Sequence, residues 1–175
     1  MNFIYRYLMI ILACISLLIG LQVPSLIDQY QKRVDAHMRE VTLNLQPFID
    51  IANQYFDGDM ERLLTLHRNS AAQPFKEEGL AIGQMLKRKM HFEAELTALR
   101  TDLPHRALHV LLHGDAQIRE EVLAQFSYTV PLDVDALSFG AGVALAVLLT
   151  VELLLVALRV VMLLLMRLIS VPAAG

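Results

Sequence analysis

Two apolar stretches flank about a hundred mostly polar residues, and their length limits what this chain can fold into. Between Tyr7 and Ile27 the only strongly polar side chain inside the run is Gln22. From Phe139 to Val151 there is none. A helix crossing about 30 Å of hydrocarbon needs roughly 20 such residues, and both stretches reach that length. A soluble core able to hide both would be larger than 175 residues can build. The expected fold is an all-α membrane protein in which two transmembrane helices flank a small helical extramembrane domain. Residues 1–27 form a cytoplasmic N-terminus and the first span, and residues 28–135 form a helical periplasmic domain. Residues 136–170 form the second span with a cytoplasmic extension, and residues 171–175 a tail.

Charge sets the expected orientation. The central segment holds 12 of the 15 Lys and Arg and 17 of the 18 Asp and Glu, a formal charge of −5. The remaining basic residues, Arg6, Arg159 and Arg167, lie near the outer ends of the apolar runs. Short arginine-bearing tails stay on the cytoplasmic side, while acidic residues contribute little. Both termini are therefore expected in the cytoplasm, although Lys32 and Arg33 argue weakly against this. A cleaved signal peptide is disfavoured because no small-x-small site follows Gly20. Ile11-Leu12-Ala13-Cys14 fits a lipoprotein signal poorly, and Cys14 reads as a small packing residue. One cysteine excludes an internal disulfide framework.

The central segment has a helical period. Tyr30, Val34, Met38 (or His37), Val41, Leu45 and Phe48 recur at three- and four-residue spacing. The first span should therefore continue as a long amphipathic helix, with a kink or a new start at Pro47 and an end at Asp57-Gly58. Asp57 or Asp59 can cap a second helix carrying Met60, Leu63, Leu64 and His67. A third runs from Lys76 or Leu80 to Arg100, with an imperfect stripe of Ile82, Leu86, Met90, Leu96 and Leu99 interrupted by Glu93. Lys87-Arg88-Lys89 at its centre reads as a solvated face rather than an anion site. Asp102 to Pro104 starts a short helix through Leu112, and Asp115 caps the next one through Phe126. Val130-Pro131 marks the return to the membrane, where Asp133 or Asp135 can cap the second span.

Glu152 is the sharpest chemical signal, because ionisable groups inside a membrane are expensive and usually functional. Arg159 follows two helical turns later, about 10.5 Å along the axis. A Glu152–Arg159 contact is easier between neighbouring copies than within one helix. Three readings compete: helix–helix adhesion, placement at the membrane boundary, and proton or ion conduction, with adhesion favoured. Gly142 and Ala146 on the same helix form a small-xxx-small pair that allows close approach. From Ala136 to Ser170 the helix would be about 52 Å long, so it must tilt, bend or project.

His105, His109 and His113 fall at successive i,i+4 positions, a spacing that can present two imidazoles to zinc. No glutamate follows His105 in the metalloprotease pattern. The favoured reading is a polar border beside a Leu108, Leu111 and Leu112 face, ahead of a pH-responsive contact or a metal site. His37, His67 and His91 are widely scattered. No phosphate loop, nucleophile elbow, paired-cysteine motif or hydride-cofactor fingerprint is present, so neither catalysis nor a cofactor is expected. The acidic domain argues against nucleic acid.

Several short motifs carry a resemblance. They are Leu21-Gln22-Val23-Pro24 with Asp28-Gln29-Tyr30, Phe56-Asp57-Gly58-Asp59, His67-Arg68, Phe75-Lys76-Glu77-Glu78-Gly79 and Val130-Pro131-Leu132. Over nearly its whole length the chain resembles an uncharacterised family, a domain of unknown function, of small two-span proteobacterial inner-membrane proteins. That resemblance implies an inner-membrane location and brings no catalytic residues with it. The expected function is a noncatalytic scaffold or accessory subunit, partnered by the lipid bilayer and by further copies or an unidentified membrane protein. The alternatives are a homo-oligomeric channel using Glu152 and, remotely, a metal-dependent enzyme using the three spaced histidines.

Overall fold

The structure is a computed structural model describing residues 3–126 and 133–169. Six helices follow one another: α1 (Phe3–Tyr55), α2 (Met60–Arg68), α3 (Gln73–Ala98), α4 (Leu103–Leu112), α5 (Ala116–Ala124) and α6 (Val134–Ile169). No strand occurs among the described residues. The expected turn at Val130-Pro131 and the tail 171–175 lie outside them. The chain divides into two compact units, residues 1–25 with 127–175, and residues 26–126. Helix α1 contributes to both.

In the first unit, α1 and α6 are each long and apolar enough to cross a membrane. They meet at two glycines. A methyl group on Gly20 would lie 2.8 Å from the Gly140 Cα and 3.0 Å from the Val143 Cβ. A methyl group on Gly140 would lie 2.9 Å from the Leu21 Cγ and 3.1 Å from the Leu17 carbonyl oxygen. Lipid tails are as apolar as leucine, so spans gain little from burying leucine against each other, and close backbone approach becomes the source of adhesion. Leu21, Ser16 and Ala136 are buried in this unit. The N-terminus of α6 is capped by Asp133, whose carboxylate accepts the Ala136 N–H at 2.7 Å.

In the second unit α1 buries one continuous stripe: Ile27, Tyr30, Val34, Val41, Leu45 and Ala52. His37, Met38 and Phe48 are half-buried on the same side. Pro47 neither ends nor restarts the element, because α1 stays helical to Tyr55. Its ring is on the exposed side, so water can satisfy the carbonyl it orphans while Leu45 and Ala52 hold the buried side in register. The helix ends at Asp57-Gly58, which adopt φ of 55° and 81°. The Phe56 and Gly58 N–H groups both return to the Ala52 carbonyl, a left-handed C-terminal cap of the kind Gly and Asp tolerate. Asp59 then caps α2 by accepting the Glu61 and Arg62 N–H groups. Helices α2 and α3 pack closely where Gly79 meets His67, and a methyl group on Gly79 would fall 2.7 Å from the His67 Cβ.

Two helices turn differently from their apolar patterns. Helix α3 begins at Gln73 with Pro74 in its first turn and buries Gly79, Ile82, Phe92, Glu95 and Leu99. Met90, expected inside, is 68% exposed. Helix α4 buries Ala107 and Val110 and leaves Leu108, Leu111 and Leu112 outside.

The glycine contact yields a direct comparison. Gly140→Val should destabilise detergent-solubilised protein by about 1–3 kcal/mol through overpacking, read as a lower denaturation midpoint. A side chain at Gly142 has no heavy atom within 4 Å, so Gly142→Val should shift the midpoint by no more than about 0.5 kcal/mol. Equal shifts would contradict this pairing of the spans.

Candidate functional site

The most completely built polar group in the helical unit centres on Tyr30. Its side chain is 0% exposed, carried inward on the buried stripe of α1. The hydroxyl donates to Glu95 Oε2 at 2.8 Å and accepts the Asp115 N–H at 2.6 Å. His109 Nε2 lies 3.1 Å from the same Glu95 oxygen. The His109 and His113 rings stack at 6.3 Å. One buried carboxylate thus joins α1, α3 and α4, and the start of α5 is tied to the same hydroxyl. Burial first, then the Glu95 hydrogen bond, pushes the Tyr30 phenol well above its ordinary value. A phenol with no exposed surface has no route to a substrate, so this chain of bonds orders helices.

The histidines share one feature: five of the six lie within ion-pair distance of a carboxylate. Besides His109 with Glu95, His37 meets Glu121 at 3.0 Å, His67 meets Glu78 at 3.5 Å, His91 meets Asp115 at 2.8 Å, and His105 meets Asp102 at 2.5 Å. Four of these pairs join different helices or a helix to the cap of another. His105 and His109 therefore face different carboxylates while His113 stacks on His109, and no group of three or more His, Cys, Asp or Glu among the described residues converges on a metal position. A cleft of about 430 Å³ is lined by His37, Arg88, His91, Phe92, Asp115 and Gln117, among others. Arg88 lies over the Phe92 ring at 5.7 Å, which gives one residue of the basic run a contact beyond solvation.

Three of the carboxylates in these pairs, Asp102, Glu121 and Asp115, are held low. The His105 hydrogen bond, followed by the Thr101 hydroxyl, holds Asp102 below the usual range. The His37 hydrogen bond does the same for Glu121. Burial alone would raise Asp115, but the Ile118 N–H and the His91 imidazole outweigh it and hold it low.

In the membrane-type unit, Glu152 lies on the exposed side of α6. The Tyr5 hydroxyl donates to its Oε1 at a long 3.3 Å, which places Glu152 level with the far end of the first apolar run, beside Arg6. Among the described residues Glu152 and Arg159 form no ion pair. Gly142 and Ala146 are exposed, while the in-chain approach uses Gly140. The signal for Gly140 was the longer series Ala136, Gly140 and Ala144, spaced by four on one face. The Arg167 side chain lies outside the described residues.

A model of the family described as "Protein of unknown function (DUF2937)" matches residues 4–163. The chain belongs to this family. The match runs from the first apolar stretch past Arg159, so the DUF2937 region contains both helical units and every residue singled out above except Arg167. No curated protein and no solved structure matches the chain.

The low carboxylates fix a pH dependence for this DUF2937 chain. A carboxyl depressed on folding releases its proton more readily in the folded state, so its contribution is present above the unfolded value near 4 and is lost as pH falls through the lower folded value. Thermal midpoints followed by helical circular dichroism should hold steady above about pH 5 on this account and fall below about pH 4. Asp115→Asn, which keeps a capping side chain, should make the acid limb shallower. Tyr30→Phe should cost about 1–3 kcal/mol at neutral pH by stranding the Asp115 N–H and leaving the buried Glu95 with His109 alone.

Proposed function

We propose that this protein is a noncatalytic inner-membrane scaffold or accessory subunit that assembles with further copies through α6. Both termini are placed in the cytoplasm and the helical unit in the periplasm, following the arginines at the outer ends of the apolar runs. The observation that carries the reading is the surface of α6 beyond Glu152. Leu153, Leu154, Val156, Leu158 and Val160 to Met166 are all about half exposed or more, interrupted by Arg159.

A 36-residue helix is about 54 Å long. Laying all of it within about 30 Å of hydrocarbon needs a tilt beyond the usual range of about 0–40°. From Asp135 to Glu152 is about 25 Å of helix, close to one bilayer crossing. Glu152, level with Tyr5, then stands at the cytoplasmic boundary, and the apolar helix beyond it requires a protein partner or the leaflet surface. A helix apolar on every side is a buried helix. Glu152 and Arg159 are seven residues apart and nearly on one face, so two copies can exchange opposite charges along that edge.

The channel reading keeps one supporting feature, the Glu152 carboxylate on an outward face. It requires a lumen assembled from several copies, with Glu152 deep inside it.

The two readings separate in one set of measurements on reconstituted protein. Native mass spectrometry from lipid nanodiscs should show an oligomer that shifts towards monomer in Glu152→Gln, with no proton flux in either form. Unchanged oligomer size together with proton flux that disappears in the variant would instead establish conduction.

A further inference from the structure

Helix α4 packs its small side chains inward and its large ones outward. Ala107 and Val110 are buried, whereas Leu108, Leu111 and Leu112 are 54, 54 and 65% exposed. The three leucines stand at i, i+3 and i+4 and so share one helix face. Large apolar side chains grouped on a surface mark a site that something covers.

Two observations identify the cover. The first is position. The turn after α4 is pinned to Tyr30: a methyl group on Gly114 would fall 2.9 Å from the Tyr30 hydroxyl oxygen, and Asp115 donates its N–H to that oxygen. His109 reaches Glu95, which takes the Tyr30 proton donor. Tyr30 stands two residues past Asp28, where the apolar run of α1 stops, a rise of about 3 Å. The C-terminal end of α4 is therefore held against the part of α1 that leaves the apolar run.

The second is charge. The whole segment from Asp28 to Asp135 carries −5, yet the stretch from Arg100 to His113 holds Arg100 and Arg106 with three histidines against Asp102 alone. Arg100 and His113 are exposed, and neither has a carboxylate within ion-pair distance among the described residues. A short helix with leucines on one face and basic groups around it is suited to lie in a bilayer interface.

We propose that the Leu108, Leu111 and Leu112 face of α4 docks on the headgroup–acyl boundary of the same bilayer that α1 crosses, with Arg100 and His113 among anionic headgroups. This rests on the membrane-spanning reading of α1 and α6. It gives the helical unit a third attachment to the membrane and fixes which of its surfaces faces lipid.

The chain has no tryptophan, so single-tryptophan variants of the full-length protein report one position each. Leu111→Trp and Leu112→Trp probe the docking face. Leu18→Trp probes an exposed position of α1 within the apolar run, and Leu43→Trp an exposed position on the extramembrane part of α1. Each is reconstituted into vesicles of phosphatidylcholine and phosphatidylglycerol whose acyl chains are a mixture brominated near the headgroup and near the chain end, after circular dichroism confirms native helix content.

Insertion to about 5–10 Å should quench Leu111→Trp or Leu112→Trp at least half as strongly as Leu18→Trp and leave Leu43→Trp bright. Weaker quenching in pure phosphatidylcholine supports the anionic contact, and equal quenching there overturns that half of the proposal. Quenching of Leu18→Trp alone overturns the docking and leaves the spans standing. Blue-shifted but unquenched emission from both docking-face variants also overturns it, because another protein surface then covers α4. Absence of quenching at Leu18→Trp removes the membrane reading itself.

Discussion

The outer surface of α6 has to be covered by something other than water. Leu137, Leu145 and Leu149, on the stretch before Glu152, point away from the rest of their unit. Hydrocarbon is the cover that such a length of helix accepts, and the remainder of the unit is consistent with it. In lipid, apolar burial between helices gives no net drive, so the pair must adhere through close packing. The backbones accordingly touch where Gly20 faces Gly140. Polar groups sit where a boundary is expected: Asp133 caps one end of α6, and Tyr5 meets Glu152 towards the other.

The helical unit solves a different problem. Its helices after α1 are short, from 9 to 26 residues, and it has no disulfide. It compensates by placing Tyr30 and Glu95 where one carboxylate links three helices, and by pairing histidines with acids across helix contacts. Exposed pairs of this kind contribute little each. The Tyr30–Glu95 bond is different because both groups are buried, and a stranded partner there would be costly. The same bond sets the position of α4, so the anchoring of α1 and the presentation of the leucine face have one origin.

Much of the fold was legible in the residues. The stripe from Tyr30 to Leu45 repeats without interruption, and the stop at Asp57-Gly58 and the cap at Asp115 are local chemistry; for α2 and α6 the residues offered two aspartates each, of which Asp59 and Asp133 make the capping bonds. Errors arose where tertiary contacts overrode local pattern. In α3 the expected stripe ran through Met90, but the helix is turned to bury Phe92 and Glu95, because Tyr30, 65 residues earlier, supplies the hydroxyl that makes Glu95 tolerable inside. In α4 the spacing of the leucines did not say which way they face, and the helix buries Ala107 and Val110 instead, with Gly114 close against the Tyr30 hydroxyl. The partners of His37, His67 and His91 come from distant or separate helices, and spacing along the chain carries no sign of them. Gly140 was visible among the small residues of α6, but choosing it over Gly142 needed the position of Gly20.

Membership of DUF2937 fixes the family and leaves the activity to physical argument. An exposed apolar helix beyond Glu152 and a lipid-facing α4 would make this a protein that holds a helical unit against a membrane and offers α6 to partners. The whole account depends on lipid around the two apolar helices. The lone cysteine, Cys14, is exposed on α1 and can carry a nitroxide label without further substitution. In bilayers its relaxation should be strongly enhanced by oxygen, which concentrates in hydrocarbon, and little affected by a water-soluble nickel chelate. Ready collision with the nickel chelate and weak enhancement by oxygen would place that face of α1 in water and contradict the account.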